Sequence, residues 1–426
     1  SNSNQNQFWL SYIDALIKVG RTDEALQALN DGKASGLTGE GVEELTLRLS
    51  GSAPSTSSSE PSKEQIEGLI SLYSRGKLQE AIYHGVALAN QFSSSPIIPN
   101  ILGAIYSGLG KFEEAFVSFN KAIDLKPDYV LAHYNLGNAL KDSGKHGEAI
   151  SIYNRTINLK PDYAEAHNNL GISLMELGRY EESISSCTKA IELKPDFSIA
   201  YNNLGNAFNK LERYEEAASS YTKAIELKSD YVEAYSNLGA CLNILGRHEE
   251  SIFNCNKAIE LQSDYADAHY NLGNVLNDLE KHDEAISSYT RAVELNPSHA
   301  QVRNNLAGTL KELGRYNDAI EHFDALNNSD GQAQSLECLY NSGKLIEFNE
   351  RLDSLSKTEI IDTRVAAISA FAAHQHKTQD PYPFCKNPLD FILVTNLAQY
   401  DGSYSHIIDE ILLDSEKYKL VWESRT

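Results

Sequence analysis

His133-Tyr134-Asn135-Leu136-Gly137 returns along this chain at a fixed step of thirty-four residues. It reappears as His167-Asn168-Asn169-Leu170-Gly171, Tyr201-Asn202-Asn203-Leu204-Gly205, Tyr235-Ser236-Asn237-Leu238-Gly239 and His269-Tyr270-Asn271-Leu272-Gly273. Arg303-Asn304-Asn305-Leu306-Ala307 follows, and Gly103 lies one step before the series. A period in this range marks stacked supersecondary units. Each unit contacts only its neighbours, so one core runs the length of the array. The period argues for a binding scaffold rather than a single globular core.

Aligning the glycines gives eight units: 62–95, 96–129, 130–163, 164–197, 198–231, 232–265, 266–299 and 300–333. Each reads as two short helices. In 164–197 the first runs from about Ala164 to Leu177, with Ala166, Leu170, Gly171 and Leu174 on one stripe. Gly178 breaks it, a second helix follows from about Glu181 to Leu193, and Pro195 closes the unit. Glycine inside a helix costs roughly 1 kcal/mol against alanine. Its return at Gly137, Gly171, Gly205, Gly239 and Gly273 therefore predicts a close helix–helix approach. Ala115, Ala149, Ala217, Ala285 and Ala319, twelve residues beyond the glycine position, are the expected partners. Most of the charge reads as helix chemistry. Glu113-Glu114, Glu181-Glu182, Glu215-Glu216 and Asp283-Glu284 open second helices, and Lys126, Lys160, Lys194 and Lys228 end them, as the helix dipole favours. Asp162, Asp230 and Asp264 are candidate N-caps.

The 426 residues are 41% hydrophobic and carry a net charge of −22, which argues against an extended nucleic-acid footprint. Mean hydropathy is −0.39. No apolar run reaches membrane-span length, and no signal peptide opens the chain. Ser1 stands without an initiator Met, so the N-terminus is read as cut or processed. Five cysteines form an odd set with no metal-ligand spacing. Cys187 and Cys255 occupy the position that holds Phe119, Tyr153, Tyr221, Tyr289 and Phe323 elsewhere, where they act as small core hydrophobes. A reducing, cytoplasmic setting fits.

An aromatic or His followed by x-x-Leu-Gly, then Ala, Tyr/Phe, Ala and Pro at fixed offsets, resembles the tetratricopeptide repeat. The resemblance covers residues 96–299, while 62–95 is degenerate and 300–333 ends in Gly331 instead of Pro. It implies an all-α helix-turn-helix solenoid, a right-handed superhelix whose first helices line a concave face. Phe8–Leu29 looks like one further, isolated repeat, followed by a helix over Val42–Leu49, so residues 1–50 form a separate helical piece. Residues 51–61 read as a flexible Ser/Pro linker. Beyond 333 the period fails, and Leu336–Tyr340, Lys344–Leu355 and Thr363–His374 predict a helical cap over 334–376. Residues 377–426 predict a small mixed α/β extension, with strands at Asp390–Asn396 and Tyr418–Trp422 and a helix at Ser405–Leu413. This tail resembles the segment that, in some bacterial repeat proteins, leads into an iron- and 2-oxoglutarate-dependent oxygenase domain. The one HxD, His322-Phe323-Asp324, lies inside a second helix and reads as coincidence.

On the first helices Asn135, Asn169, Asn203, Asn237, Asn271 and Asn305 recur once per unit, with Asn138, Asn206 and Asn274 one turn further on. Carboxamides both donate and accept, so a ladder of them can grip an extended peptide backbone. The pattern resembles the asparagine ladder of the O-linked N-acetylglucosamine transferases. It equally fits bonds between neighbouring helices. The carboxylate clamp of chaperone-adaptor tetratricopeptide domains, which uses Lys and Arg on the first helices, is not expected, because those face positions hold Tyr134, Glu165, Asn168, Asn202, Glu233 and Asp267. A neutral or basic segment suits the groove better. His133, His167 and His269 read as packing aromatics, and His146, His248 and His282 as solvated turn residues. No phosphate loop, nucleophile elbow or Cys/His cluster appears, and no cofactor or metal is implied. The expected function is a non-catalytic protein-interaction scaffold. The alternative is the substrate-recognition arm of a larger oxygenase or glycosyltransferase, and self-association through the array ends is a third reading.

Overall fold

First helices end and second helices begin through one repeated device. At the close of Val130–Asp142 the Gly144 amide donates to Lys141 and the Lys145 amide to Leu140, at 3.0 and 2.8 Å. This is a Schellman closure, which needs a left-handed residue; Gly144 supplies it at φ 79°. Glu212 and Glu280 adopt the same conformation at φ 58° and 59°, where the other repeats place glycine. The next helix then opens with acids in its first turn.

The computed structural model describes residues 13, 22–34, 42, 45–46, 60–357 and 363–377. Among them are twenty helices and no strand. The chain divides into two units, Ser1–Gly178 and Arg179–Thr426. The first holds Thr22–Ala34, Lys63–Ser74, Leu78–Gln91, Ile97–Gly108, Phe112–Leu125, Val130–Asp142, His146–Leu159 and Ala164–Glu176. The second begins with Tyr180–Leu193 and continues with the pairs Ser198–Lys210/Tyr214–Leu227, Val232–Ile244/His248–Leu261, Ala266–Asp278/His282–Leu295 and Ala300–Glu312/Tyr316–Asp324. Ser329–Asn341, Leu345–Ser356 and Thr363–His376 follow, at the places expected for the terminal helices. The all-helical repeat architecture is as the period predicts. The mixed α/β extension and the oxygenase-leading tail lie outside the described residues. Among the described residues no helix is long and apolar enough to cross a membrane.

The helical glycine makes its closest approach to a different partner from the one expected. A β-carbon at Gly137, Gly205 or Gly273 would lie 2.7, 2.6 or 2.5 Å from the ring of Tyr153, Tyr221 or Tyr289, sixteen residues on. The alanines twelve residues on are fully buried beside this contact. In 232–265, where Cys255 replaces the ring, the twelve-residue position also touches the glycine: Ser251 donates its hydroxyl to the Gly239 carbonyl at 2.7 Å.

The expected N-caps are not realised. Helices 164–176, 232–244 and 266–278 are preceded by Tyr163, Tyr231 and Tyr265, with no side-chain cap bond. Asp162, Asp230 and Asp264 therefore stand one residue too early to cap. Tyr163 and Tyr231 instead meet the lysine that closes the preceding helix. Lys160 and Lys228 lie 4.8 and 4.9 Å from the Tyr163 and Tyr231 ring centres.

Candidate functional site

The nine asparagines sit half-buried or buried on the first helices, and their hydrogen bonds divide them into two sets. In the first unit Asn169 is internally committed. Its Nδ2 donates to the Tyr134 hydroxyl (3.1 Å) and to Asn138 Oδ1 (2.9 Å), and its Oδ1 accepts from Asn168 (3.0 Å). Asn305 is held likewise in the second unit, donating to Asn274 Oδ1 at 3.0 Å and Tyr270 at 3.4 Å while accepting from Gln301. Asn237 donates to Asn202 and Asn206, both at 3.2 Å. These bonds tie each first helix to its neighbour, so much of the ladder serves the stack.

The other set keeps polar groups unengaged. Asn138, Asn206 and Asn274 each receive two donors on Oδ1: a tyrosine hydroxyl from their own repeat and an asparagine from the next. Tyr153, Tyr221 and Tyr289 donate at 2.7, 2.8 and 2.9 Å. With both lone pairs filled, the carboxamide is fixed in orientation; among the described residues nothing bonds the two N–H groups of Asn206 and Asn274, while Asn138 also meets the Tyr134 hydroxyl. Asn135 donates to Asn100 Oδ1 (3.0 Å), and Asn271 to the Ser236 carbonyl and hydroxyl (3.2 and 3.0 Å); both leave Oδ1 open. Asn135/Asn138 and Asn271/Asn274 thus each set an acceptor and a donor one helical turn apart. Asn203 is 9% exposed and is less accessible than the rest.

Acids surround these pairs. Tyr134 is raised by burial, with Glu165 and Asp142 adding to the shift; Tyr289 is raised by burial, with Tyr270, Asp278 and Glu312 adding. Lys311, on the same face, is neutralised by Glu337 at 2.7 Å.

The histidines serve the fold. His133, His167 and His269 bond through Nε2 to the carbonyl six residues back, at 3.0, 3.1 and 3.0 Å, and Arg303 does the same with Nε at 2.8 Å. They latch the loop between repeats. His248 and His282 are half-buried and bond Asn243 and Asn277, rather than simply facing water. Asn277 also accepts from Thr309 of the next repeat at 3.1 Å. Asn243 and Asn277 are linking residues that the sequence analysis missed; Asn209, Asn243 and Asn277 align as visibly as the ladder does. Asp324 of the HxD is held by Arg351 at 2.8 and 2.9 Å. Among the described residues no group of three or more His, Cys, Asp or Glu is placed to hold a metal.

Four tetratricopeptide-repeat family models match segments of this array. One covers residues 103–144, 137–178 and 242–279, and others cover 162–230, 266–299 and 288–321. No curated protein matches the chain. Among solved structures, the Cut9–Hcn1 hetero-tetramer of the APC/C is 18% identical over 71% of this chain and 58% of that one, with a TM-score of 0.50. A tetratricopeptide repeat protein from Parabacteroides merdae ATCC 43184 is 17% identical over 58% of this chain and 98% of its own, at 0.48. YrrB, described as a TPR protein with an unusual peptide-binding site, is 24% identical over 43% and 95%, at 0.37. The matched segments are tetratricopeptide repeats, and the fold is that of a tetratricopeptide array.

Proposed function

We propose that the array is a protein-interaction scaffold whose first-helix face holds an extended segment of a partner protein, neutral or basic in charge. The carrying observation is the pair Asn271/Asn274, repeated at Asn135/Asn138. Each offers an open carboxamide oxygen and an unengaged N–H at half-buried positions on one helix. An extended backbone presents N–H and C=O groups alternately, which such a pair matches whatever the side chains. The acids beside the pairs favour a segment without negative charge.

The proposal assigns the nine asparagines different roles. In the second unit Asn206 and Asn274 donate to the segment, and Asn237 and Asn271 accept from it; in the first unit Asn138 and Asn135 are suited to the same two roles. Asn169 and Asn305 chiefly hold the stack together, and Asn203 is buried. Peptides selected on the full chain from a random dodecapeptide library are the test. Substituting Asn271→Ala should weaken a selected peptide about tenfold, the equivalent of one good hydrogen bond to a preorganised site. Equal affinity in that variant, with helicity intact, would remove the groove assignment. No observation among the described residues favours the enzyme-arm reading.

A further inference from the structure

The first-helix face alternates from repeat to repeat. Asn138, Asn206 and Asn274 stand in every second repeat, each with a tyrosine fifteen residues on that donates to it. The intervening repeats hold Ala104, Ile172, Ala240 and Gly308, and fifteen residues on they hold Phe119, Cys187, Cys255 and Phe323, none with a hydroxyl. The carboxamide and the hydroxyl are present together or absent together throughout the series.

In the unit Arg179–Thr426 this places Ala240 between Asn206 and Asn274 in adjacent first helices. One turn beyond runs a second row, Lys210, Ile244, Asp278 and Glu312. Ile244 is 57% exposed where every neighbour is charged. Ala240 and Ile244 are four residues apart and share a helix face. Repeat 232–265 therefore presents an apolar step between two repeats that offer fixed donors, with Glu233, Asp267, Asp278 and Glu312 exposed around it.

We infer that this repeat is the specificity-determining step of the groove. It takes an aliphatic side chain of an extended basic segment over Ala240 and Ile244, while Asn206 and Asn274 hold backbone carbonyls on either side. The small Ala240 leaves room for the side chain, and its burial against Ile244 is favourable. Lys or Arg beside that side chain meets the surrounding acids, and the net charge of −22 draws such a segment in. The inference rests on the reading that the first-helix face binds an extended segment.

The test uses the full chain and peptides selected from the random dodecapeptide library, resynthesised with a fluorescent label and titrated by anisotropy. Ile244→Ser and Ala240→Gln leave the net charge unchanged. The double pairs Asn206→Ala/Tyr221→Phe and Asn274→Ala/Tyr289→Phe recreate the Ala104/Phe119 combination the chain already tolerates. Phe253→Ser, at an aromatic 67% exposed on the second helix of the same repeat, is the control. The expected result is selected peptides with an aliphatic residue beside Lys or Arg. Their affinity should fall about tenfold or more with Ile244→Ser and with Ala240→Gln, and stay unchanged with Phe253→Ser. Peptides that lose affinity in the asparagine–tyrosine variants but bind Ile244→Ser and Ala240→Gln normally would overturn this inference and leave the groove reading standing. Failure to select any peptide, or binding indifferent to all of these variants, would overturn both.

Discussion

Asn206→Ala should destabilise the array more than the same change made together with Tyr221→Phe. Tyr221 is 1% exposed and donates its hydroxyl to Asn206 Oδ1 at 2.8 Å, the one acceptor it has among the described residues. Removing the carboxamide alone strands that hydroxyl in the core, at a cost of about 1–3 kcal/mol. It also takes from Asn237 one of two acceptors, each at 3.2 Å. Tyr221→Phe alone is milder, about 0.5–1.5 kcal/mol, because Asn206 keeps its bond from Asn237. The double variant leaves no stranded hydroxyl and restores an Ala–Phe pair like Ala104–Phe119, so its cost falls below that of Asn206→Ala. The expected coupling is on the order of 1 kcal/mol. Urea unfolding followed by far-ultraviolet circular dichroism gives the ranking. Amide exchange in residues 198–227 localises it, since a repeat array need not unfold as one two-state body. Additive losses, or a double variant worse than Asn206→Ala, would refute the argument.

Four further outcomes are expected. Glu212→Gly and Glu280→Gly should each stabilise by about 0.5–1 kcal/mol by relieving a left-handed non-glycine residue; a lowered melting temperature would contradict this. Gly273→Ala should cost about 1–3 kcal/mol, since its β-carbon meets the Tyr289 ring at 2.5 Å. Gly308→Ala, with nothing within 4 Å of that carbon, should gain about 1 kcal/mol from helix propensity; reversal of their thermal-melt order would be decisive against the packing account. Burial, joined by neighbouring carboxylates, pushes Tyr163, Tyr231 and Tyr265 up to about 12, whereas unfolded phenols ionise near ~10. The fold holds them neutral, so stability is whole below about pH 10 and is lost as pH rises from about 10 to 12; a phenolate component near pH 10 that disappears, helicity intact, when these three are replaced by Phe would count against it. Burial also pushes Cys187 and Cys255 up to about 12, so at about pH 8 a thiol reagent should label neither until denaturant is added.

The period was enough to read the helix pairs, and with them the mid-helix glycines and the closing lysines. What escaped was direction. The glycine's nearest neighbour is an aromatic sixteen residues on, because the second helix crosses so that the large side chain, and not the alanine, covers the bare backbone. The caps failed because Tyr163, Tyr231 and Tyr265 intervene between each Asp and its helix. The ladder was visible as a column of asparagines, yet which carboxamide atoms remain open depends on donors arriving from the next repeat. One signal was legible and unused: Asn138, Asn206 and Asn274 travel with Tyr153, Tyr221 and Tyr289, while Ala104 and Gly308 travel with Phe119 and Phe323. Comparing the two columns, rather than reading one, exposes the pairing.

The most direct measurement follows the asparagine side chains themselves. The full chain, labelled with ¹⁵N at asparagine only, would be titrated with a peptide selected from the random library while the side-chain amide resonances are recorded. The account predicts that the Nδ2 signals of Asn206 and Asn274 move on saturation, while those of Asn154 and Asn256, exposed on second helices, stay in place. Shifts confined to Asn154 or Asn256, or saturation with no first-helix carboxamide moving, would contradict it.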